Sequence, residues 1–220
     1  MTARGRFITF EGGEGAGKSA QARRLVARLE GLGLDTVATR EPGGTPHAER
    51  LRELILSGAL QARGPAAEAI AFTAARIDHI DALIRPALER GQWVVSDRFA
   101  DSTRAYQGAA GRLSGAFIDR LERIAVGEDG PDLTLVLDLA PEAGLARAAA
   151  RRGAAEARDR FEAEGLEFHR TLRAAFLAIA RAEPQRCVVI DASADEAGVA
   201  AAVWAAVCER LGRHLPEPRR

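Results

Sequence analysis

The stretch FITFEGGEGAGKSAQ, residues 7–21, decides the fold. It opens with a run of apolar and β-branched residues, which is typical of a buried strand. Residues 12–19 follow as a glycine-rich run that fits the pattern G-x-x-x-x-G-K-S/T. A helix is expected to begin inside this run and to end near the glycines of EGLG, residues 30–33. A strand, a glycine loop and a helix in this order predict a phosphate-binding loop.

The phosphate loop owes its chemistry to its backbone. Successive N–H groups of such a loop form a nest for anions, and the helix N-terminus adds the positive end of its dipole. Lys18 is expected to reach the β- and γ-phosphates of a nucleotide, and the Ser19 hydroxyl is expected to ligate Mg²⁺. The predicted nucleotide-binding residues are Gly12, Gly13, Glu14, Gly15, Ala16, Gly17, Lys18 and Ser19. A tight glycine turn that holds no ligand is the alternative.

Composition limits the class of protein. The 220 residues are enough to bury a core as a single α/β domain over residues 1–220. The 31 basic and 31 acidic residues balance, so no overall field favours nucleic acid or a membrane surface as a partner. Cys187 and Cys208 lack metal-binding spacing, which favours reduced thiols. The start lacks the apolar run of a signal peptide, and the apolar stretch 197–208 is shorter than the roughly 20 residues that span a bilayer. We therefore expect a soluble cytoplasmic protein.

Short β-branched or aromatic runs recur along the chain and are bounded by turn residues or charges. They cover residues 6–11, 35–40, 92–97, 133–139 and 187–192. Helical patterns separate these runs, and strands that alternate with helices favour a parallel sheet covered on both faces. The sequence therefore predicts an α/β fold of the P-loop type, with a five-stranded parallel sheet flanked by helices.

Two further groups of candidates follow predicted strands. TREPGGT, residues 39–45, predicts a sharply shaped turn, in which a cis Glu41–Pro42 bond is one option that the sequence leaves open. Asp97 ends the third strand, where a carboxylate on the magnesium side belongs in such folds, and Arg98 offers a planar fork for phosphate. Ser102, Thr103, Tyr106 and Gln107 follow within two helical turns. A plain surface turn and a charged loop before a helix are the alternatives.

Four motifs together closely resemble the thymidylate kinase family. They are FEGGEGAGKS (10–19), TREPGGT (39–45), FTAARIDHI (72–80) and DRFADSTRAYQG (97–108), in the family's order and spacing. The resemblance implies a nucleoside monophosphate kinase that transfers the γ-phosphoryl group of Mg·ATP to dTMP, and a homodimer. A kinase for another nucleotide or deoxynucleoside is the nearest alternative. A nucleotide-binding switch without a small acceptor is the second alternative.

The resemblance also implies roles on the acceptor side. Along residues 65–90, Ile70, Ala74, Ile77, Ile84 and Leu88 share one face and predict core packing, whereas Phe72 and Arg76 lie roughly opposite. In the family an aromatic at this place stacks on thymine and the arginine bonds its edge. By the same resemblance the dTMP-binding residues would be Glu14, Arg40, Phe72, Arg76, Arg98, Ser102, Thr103, Tyr106 and Gln107. Arg98 and Arg40 would hold the phosphate, Tyr106 the sugar, and Glu14 the 3′-OH. Pairing of Glu14 with a nearby arginine is the alternative, and whether Asp97 or Glu14 lies closer to the metal stays open.

The arginine-rich segment 147–170 suits either a solvated helix with ion pairs or a mobile lid over the nucleotides. One class of the family carries an arginine directly after the loop acid, and Gly15 stands there in this chain. The resemblance to the bacterial class therefore implies a lid, residues 148–163, whose arginines Arg151, Arg152, Arg158 and Arg160 include the catalytic one. Arg160 is the preferred candidate, beside Lys18, Arg98 and Glu14 as the other catalytic residues. Arg147 is expected near the adenine.

Overall fold

The computed structural model describes residues 4–152, 161 and 163–216, except for the side chain of Arg152. Its five strands are β1 (Phe7–Gly12), β2 (Thr36–Arg40), β3 (Trp93–Asp97), β4 (Leu133–Asp138) and β5 (Cys187–Asp191). They pair in parallel in the order β2-β3-β1-β4-β5. The predicted five-stranded parallel sheet is confirmed, and each strand lies within one residue of its predicted bounds.

Helices cover both faces of the sheet. In the described part of the chain they are α1 (Lys18–Gly31), α2 (Pro46–Leu56), α3 (Pro65–His79), α4 (Arg85–Glu89), α5 (Ala100–Thr103), α6 (Gly115–Ala125), α7 (Pro141–Arg152), α8 (Leu166–Ala182) and α9 (Glu196–Leu211). Two π-helical segments, Ile80–Ile84 and Arg104–Ala110, continue α3 and α5. Short 3₁₀ turns lie at Gln61–Arg63 and Gly212–His214. None of the described helices combines the length and the apolar character that crossing a membrane requires.

The core follows from the alternation of side chains along the buried strands. On β1, Ile8 and Phe10 face a cluster that α1 and α9 complete, whereas Phe7 faces the other side of the sheet. On that other side the first π segment and α4 supply Ile80, Ile84 and Leu88, and α8 supplies Leu172 and Phe176. Parallel strands buried on both faces in this way hold the carboxyl edge of the sheet rigidly.

The predicted apolar stripe along residues 65–90 is only partly right. Ile84 and Leu88 are buried and Ile77 packs against them, but Ile70 is 54% exposed and Ala74 is exposed as well. The π segment Ile80–Ile84 separates the two halves of this stripe, because a π turn takes more residues than an α turn and so rotates Ile84 and Leu88 relative to the positions in α3. A 3.6-residue period projected across the segment therefore joins residues that lie on different faces.

Candidate active site

The carboxyl ends of the three central strands meet at one edge of the sheet, where open α/β sheets bind ligands. Gly12 ends β1, and Asp97 ends the neighbouring β3 opposite Phe10. The phosphate loop lies between Gly12 and the start of α1 at Lys18. The helix ends at Gly31, as the sequence predicts.

The phosphate loop has the conformation of an anion nest. Gly15 and Gly17 have positive φ values of 68° and 92°, a conformation that L side chains rarely adopt. The Lys18 Nζ donates to the carbonyl oxygens of Gly12 at 3.1 Å and Gly13 at 2.7 Å. Burial, together with the nearby charge of Arg98, lowers the pKa of Lys18 to about 8. The lysine thus lies across the loop, where nucleotide phosphates would replace its carbonyl partners.

Space explains why position 15 carries no side chain. A Cβ atom built on Gly15 would lie 1.9 Å from the carbonyl oxygen of Gly144, in the first turn of α7. The close approach is mutual, since a Cβ on Gly144 would lie 2.3 Å from the Glu14 carbonyl oxygen. The loop therefore has no room for an arginine at this position.

Ser19 and Asp97 form the oxygen-rich side of the site. The Ser19 hydroxyl donates to the Asp97 Oδ2. The Asp97 Oδ1 is buried, and no described residue gives it a hydrogen bond. A hydroxyl beside an unsatisfied carboxylate oxygen fits Mg²⁺, which takes oxygen ligands and uses few protein groups when phosphates supply the rest. Among the residues that the structure describes, no group of three or more His, Cys, Asp or Glu side chains offers an all-protein metal site.

Glu14 pairs with Arg98 and lines a different cavity from Ser19 and Asp97. The Arg98 Nη2 lies 2.5 Å from the Glu14 Oε1, which also accepts from the Tyr106 hydroxyl at 2.6 Å. Burial opposes ionisation of the Glu14 carboxyl, but the charges of Arg98 and Lys18 outweigh this effect and lower its pKa to about 2. The alternative in which Glu14 pairs with an arginine is therefore the arrangement in this structure.

Glu11, which the sequence analysis missed, fixes the turn that carries Arg98. Arg98 has a φ of 71°, and the buried Glu11 carboxylate accepts from the backbone N–H groups of Phe99 and Ser102 at 2.8 and 3.2 Å. The Ser102 hydroxyl also donates to it, at 2.7 Å. Burial, with the charge of Asp101 acting in the same direction, raises the pKa of Glu11 to about 8. An acid inside an otherwise apolar strand was the signal that could have identified it.

A cavity beside the phosphate loop brings together the predicted acceptor residues, with one exception. Its lining includes Glu14, Phe72, Arg76, Arg98, Ser102, Thr103, Tyr106 and Gln107. Phe72 is half-buried at the cavity, whereas Arg76 is 3% exposed. Glu41, Arg52 and Phe161 also line it, and sequence reasoning assigned them no role. The Phe161 ring packs edge-on against Tyr106 at 5.1 Å between centroids.

Arg40 is the exception. It is exposed, donates to Glu49 at 3.1 and 3.2 Å, and lines a different cavity with Ser19 and Asp97. Its neighbour Glu41 lines the acceptor cavity instead, because successive side chains of an extended chain point to opposite sides. The structure thus does not bring Arg40 into the cavity that the other predicted acceptor residues line.

The TREPGGT turn has the shape that its sequence allows. The Glu41–Pro42 bond is cis, and Gly43 and Gly44 have positive φ values of 121° and 92°. The Arg52 Nη1 donates to the Pro42 carbonyl at 2.8 Å and so connects α2 to the turn. Arg52 could not be identified from the sequence, because no motif near it in the chain indicates that α2 lies over the cavity.

Most of the predicted lid, residues 148–163, lies outside the described residues. So do Arg158, Arg160 and the side chain of Arg152. Arg147, just before it, donates from Nη1 to the Ala192 carbonyl at 2.8 Å and from Nη2 to the Ser193 carbonyl at 3.2 Å. It therefore connects α7 to the loop that follows β5.

This combination of a phosphate loop and an adjacent acceptor cavity can be compared with known proteins. The family model described as thymidylate kinase matches residues 10–203, which is most of the chain. The chain belongs to the thymidylate kinase family. The matched region includes the phosphate loop and every described residue of the acceptor cavity.

Curated relatives and a solved structure agree with this membership. The chain is 57% identical over 207 residues to the thymidylate kinase of Nitrobacter winogradskyi, which covers 94% of this chain and 90% of that one. It is 54% identical over 215 residues to the thymidylate kinase of Bradyrhizobium diazoefficiens, with 98% and 92% covered. The crystal structure of thymidylate kinase from Ehrlichia chaffeensis matches with a TM-score of 0.74 and 30% identity, over 93% of this chain and 99% of that chain.

Proposed function

We propose that the protein phosphorylates dTMP to dTDP with the γ-phosphoryl group of Mg·ATP, at the carboxyl edge of the sheet. Membership in the thymidylate kinase family supports this reaction. The observation that carries it is the acceptor cavity, where Phe72, Arg76 and Arg98 lie beside the phosphate loop. Phosphoryl transfer needs such positioning and positive charge rather than a covalent enzyme intermediate.

On the acceptor side, each part of dTMP has a partner. Phe72 would stack on the thymine ring, and Arg76 would donate to its edge. Tyr106 would pack against the sugar, and Glu14 would accept from the 3′-OH. Arg98 would hold the acceptor phosphate from this cavity, and Arg40 would approach it from the cavity that Ser19 and Asp97 line. Because Glu14 already neutralises Arg98, substrate would have to replace this carboxylate with its phosphate.

Thr103 and Gln107 have supporting places in this proposal. Thr103 accepts from the Arg76 Nη2 at 3.1 Å, so it helps to hold the arginine that would read the base. Gln107 is buried and lines the same cavity, within reach of the base or the neighbouring backbone. Ser102 supports Arg98, whose Nη1 lies 3.2 Å from the Ser102 hydroxyl.

On the donor side, the loop N–H groups from Gly12 to Ser19 would cradle the ATP phosphates, and Lys18 would move from the loop carbonyls to the β- and γ-phosphates. Ser19 and Asp97 would hold Mg²⁺, which would supply positive charge against the phosphates of the donor. Arg147 would lie beside the adenine. An oxygen of the acceptor phosphate then attacks the γ-phosphorus in line with the departing ADP, while Lys18 and Arg98 stabilise the charge on the transferred group.

The lid, residues 148–163, belongs to the proposal as the mobile part of one domain. It would close over both nucleotides, exclude water and so limit wasteful hydrolysis of ATP. It would also bring Arg160 to the equatorial oxygens of the transferred group. The crowding at Gly15 supports this source of charge, because the loop itself has no room for an arginine.

Acceptor-dependent release of ADP tests the proposed reaction against a nucleotide switch. The protein is incubated with Mg·ATP, with and without dTMP, and ADP and dTDP are separated by anion-exchange chromatography. We expect ADP and dTDP to form in equal amounts and only when dTMP is present. A slow release of ADP that dTMP does not change would support the switch instead.

Replacing Phe72 by alanine is expected to weaken dTMP binding by roughly 5- to 150-fold, because stacking on a base contributes about 1–3 kcal/mol. Isothermal titration calorimetry with dTMP measures the effect. Phe72→Tyr keeps an aromatic face and should bind nearly as tightly as the unchanged protein. An undiminished affinity of Phe72→Ala would remove the stacking role.

We also propose that the protein is a homodimer that uses one face of α3 and α6. Ile70 on α3 and Ile124 on α6 are 54% and 71% exposed, and the two helices pack side by side. Large apolar side chains exposed on adjacent helices are typical of a protein–protein interface. This face explains why Ile70 has the apolar character of a core residue without lying in the core.

Replacing Ile124 by arginine is expected to convert the dimer into a monomer, because a charge would be buried in the interface. Sedimentation velocity at micromolar concentration measures the change in mass. Leu32→Arg is the matched control, since Leu32 is 37% exposed at the end of α1, on the other face of the sheet. A monomeric unchanged protein, or a dimer that persists in Ile124→Arg, would contradict this interface.

Cys187 and Cys208 are both free, as the sequence predicts. Free thiols are usual in a reducing compartment. We therefore propose that the protein works in the cytoplasm. The proposed reaction needs neither a membrane nor nucleic acid as a partner.

A further inference from the structure

Glu41 and His79 form a buried group behind Arg76. The Arg76 Nε donates to the Glu41 Oε2 at 2.8 Å, and the His79 Nδ1 lies 3.1 Å from the Glu41 Oε1. The side chains of Arg76, Glu41 and His79 are 4%, 5% and 0% exposed. Both oxygens of the Glu41 carboxylate are therefore engaged away from water, one by the arginine and one by the imidazole.

Both ring nitrogens of His79 have a hydrogen-bonding partner in this group. A carboxylate only accepts hydrogen bonds, so a proton on the His79 Nδ1 can be donated to Glu41. The opposite ring nitrogen, Nε2, lies 2.7 Å from the Thr39 Oγ1 and can accept from that hydroxyl in a neutral imidazole. A buried ion pair is stable only when such additional hydrogen bonds satisfy its remaining atoms. His79 thus fixes the direction of the Glu41 carboxylate.

Arg76 is held along one edge and keeps a donor for a ligand. Its Nη2 lies 2.8 Å from the Glu41 Oε2 and donates to the Thr103 Oγ1 at 3.1 Å, and its guanidinium lies 5.2 Å from the centre of the Phe99 ring. No described residue accepts a hydrogen bond from the remaining terminal nitrogen, Nη1, while Arg76 lines the acceptor cavity. A guanidinium can only donate, so a donor fixed here favours a base with a carbonyl at that edge.

We propose that Glu41 and His79 are positioning residues that aim the Arg76 guanidinium at the acceptor base and thereby determine base specificity. This inference rests on the proposed function, since it needs the base to lie against Arg76. Thymine presents a carbonyl oxygen where cytosine presents an amino group, so a fixed donor accepts the first and rejects the second. When the Glu41 carboxylate is lost, the guanidinium can turn and the rejection weakens.

The turn before α2 adds a structural demand at the same place, which the test has to separate from positioning. A Cβ on Gly44 would lie 2.6 Å from the His79 Nε2 and 2.6 Å from the Thr39 Oγ1. His79 and the turn are therefore packed closely. Replacing His79 is expected to lower the stability of the fold, whatever it does to Arg76. A ratio of activities on two acceptors cancels a general loss of folded protein, so this ratio is the informative quantity.

The test compares kcat/KM for dTMP with kcat/KM for dCMP, under saturating Mg·ATP. Glu41→Gln keeps the size of the side chain but loses its charge, and its amide N–H₂ faces the His79 donor. We expect it to lower the dTMP-to-dCMP ratio by roughly 5- to 150-fold, the loss of one good base contact, with an unchanged KM for ATP. His79→Leu should lower the ratio in the same direction. His79→Asn, whose amide nitrogen can replace Nδ1, should restore it.

Asp132→Asn is the matched control, because it removes a carboxylate that accepts from Arg6 and from the Phe7 backbone at the opposite edge of the sheet. It should change stability but leave the ratio of the two acceptors unchanged. The inference is overturned if Glu41→Gln and His79→Leu lower both activities by the same factor, or if His79→Asn behaves as His79→Leu does. If Glu41→Gln does not fold, the pair His79→Leu and His79→Asn decides the matter. An unchanged protein that does not prefer dTMP would instead reject the proposed function.

Discussion

Replacing Arg160 by alanine is expected to lower kcat by roughly 10³- to 10⁵-fold with little change in the KM for ATP. Charge builds up on the transferred phosphoryl group mainly in the transition state, so an arginine that contacts it there affects turnover rather than binding. The phosphate loop cannot supply this arginine, since a side chain at Gly15 would collide with the backbone of Gly144. The proposed catalytic arginine therefore comes from the lid.

Steady-state kinetics with both substrates varied measure the effect of Arg160→Ala. Arg158→Ala is the control, since it removes one positive charge from the same segment without removing the proposed contact of Arg160. It should lower kcat far less than Arg160→Ala does. Single-turnover experiments separate the chemical step from lid opening. If kcat is unchanged in Arg160→Ala, the catalytic role belongs to another lid arginine, of which Arg151 and Arg152 lie nearest in the sequence.

Replacing Arg98 by alanine is expected to lower kcat/KM for dTMP by roughly 10²- to 10³-fold or more. Removing one partner of a buried ion pair costs about 3–5 kcal/mol, and every 1.4 kcal/mol is a factor of ten. The Arg98 and Glu14 side chains are 17% and 13% exposed, so both the acceptor phosphate and Glu14 would lose a desolvated partner. The measurement is kcat/KM for dTMP, with the KM for ATP as the internal reference.

Two further variants separate the loss of the substrate contact from the loss of the partner of Glu14. Arg98→Ala combined with Glu14→Gln removes the uncompensated charge and should recover thermal stability without recovering turnover. Arg98→Lys keeps the charge but not the planar fork, so it should recover only part of kcat/KM. An Arg98→Ala protein whose kcat/KM for dTMP stays within about threefold of the unchanged protein would contradict the phosphate-binding role.

The sequence predicts the strands well because each is a short apolar run between turn residues. It cannot predict their order in the sheet, in which β1 lies at the centre between β3 and β4, since this order depends on packing between distant segments. The stripe along residues 65–90 was misjudged for a local reason, namely that the π segment Ile80–Ile84 changes the helical period.

The site was predictable where its chemistry is local in sequence. Lys18 and Ser19 belong to one contiguous motif, and Asp97 follows a strand directly. Glu11, Glu41 and His79 were missed because their partners are distant: Glu41 and His79 are 38 residues apart, and Glu11 and Ser102 are 91 apart. The sequence could not tell that Arg40 lines a different cavity from Glu41, because neighbouring residues of an extended chain face opposite sides and their partners are distant in sequence.

The most direct test of the account is the relative kcat/KM of a panel of acceptors under saturating Mg·ATP, followed by ADP release. The panel contains dTMP, dCMP, dGMP and thymidine, so that the base and the acceptor phosphate are each varied. We expect dTMP to have the highest kcat/KM, and thymidine, which has no phosphate for Arg98 to hold, to have the lower value of the two thymine compounds. Faster turnover of dCMP, dGMP or thymidine than of dTMP would contradict the account.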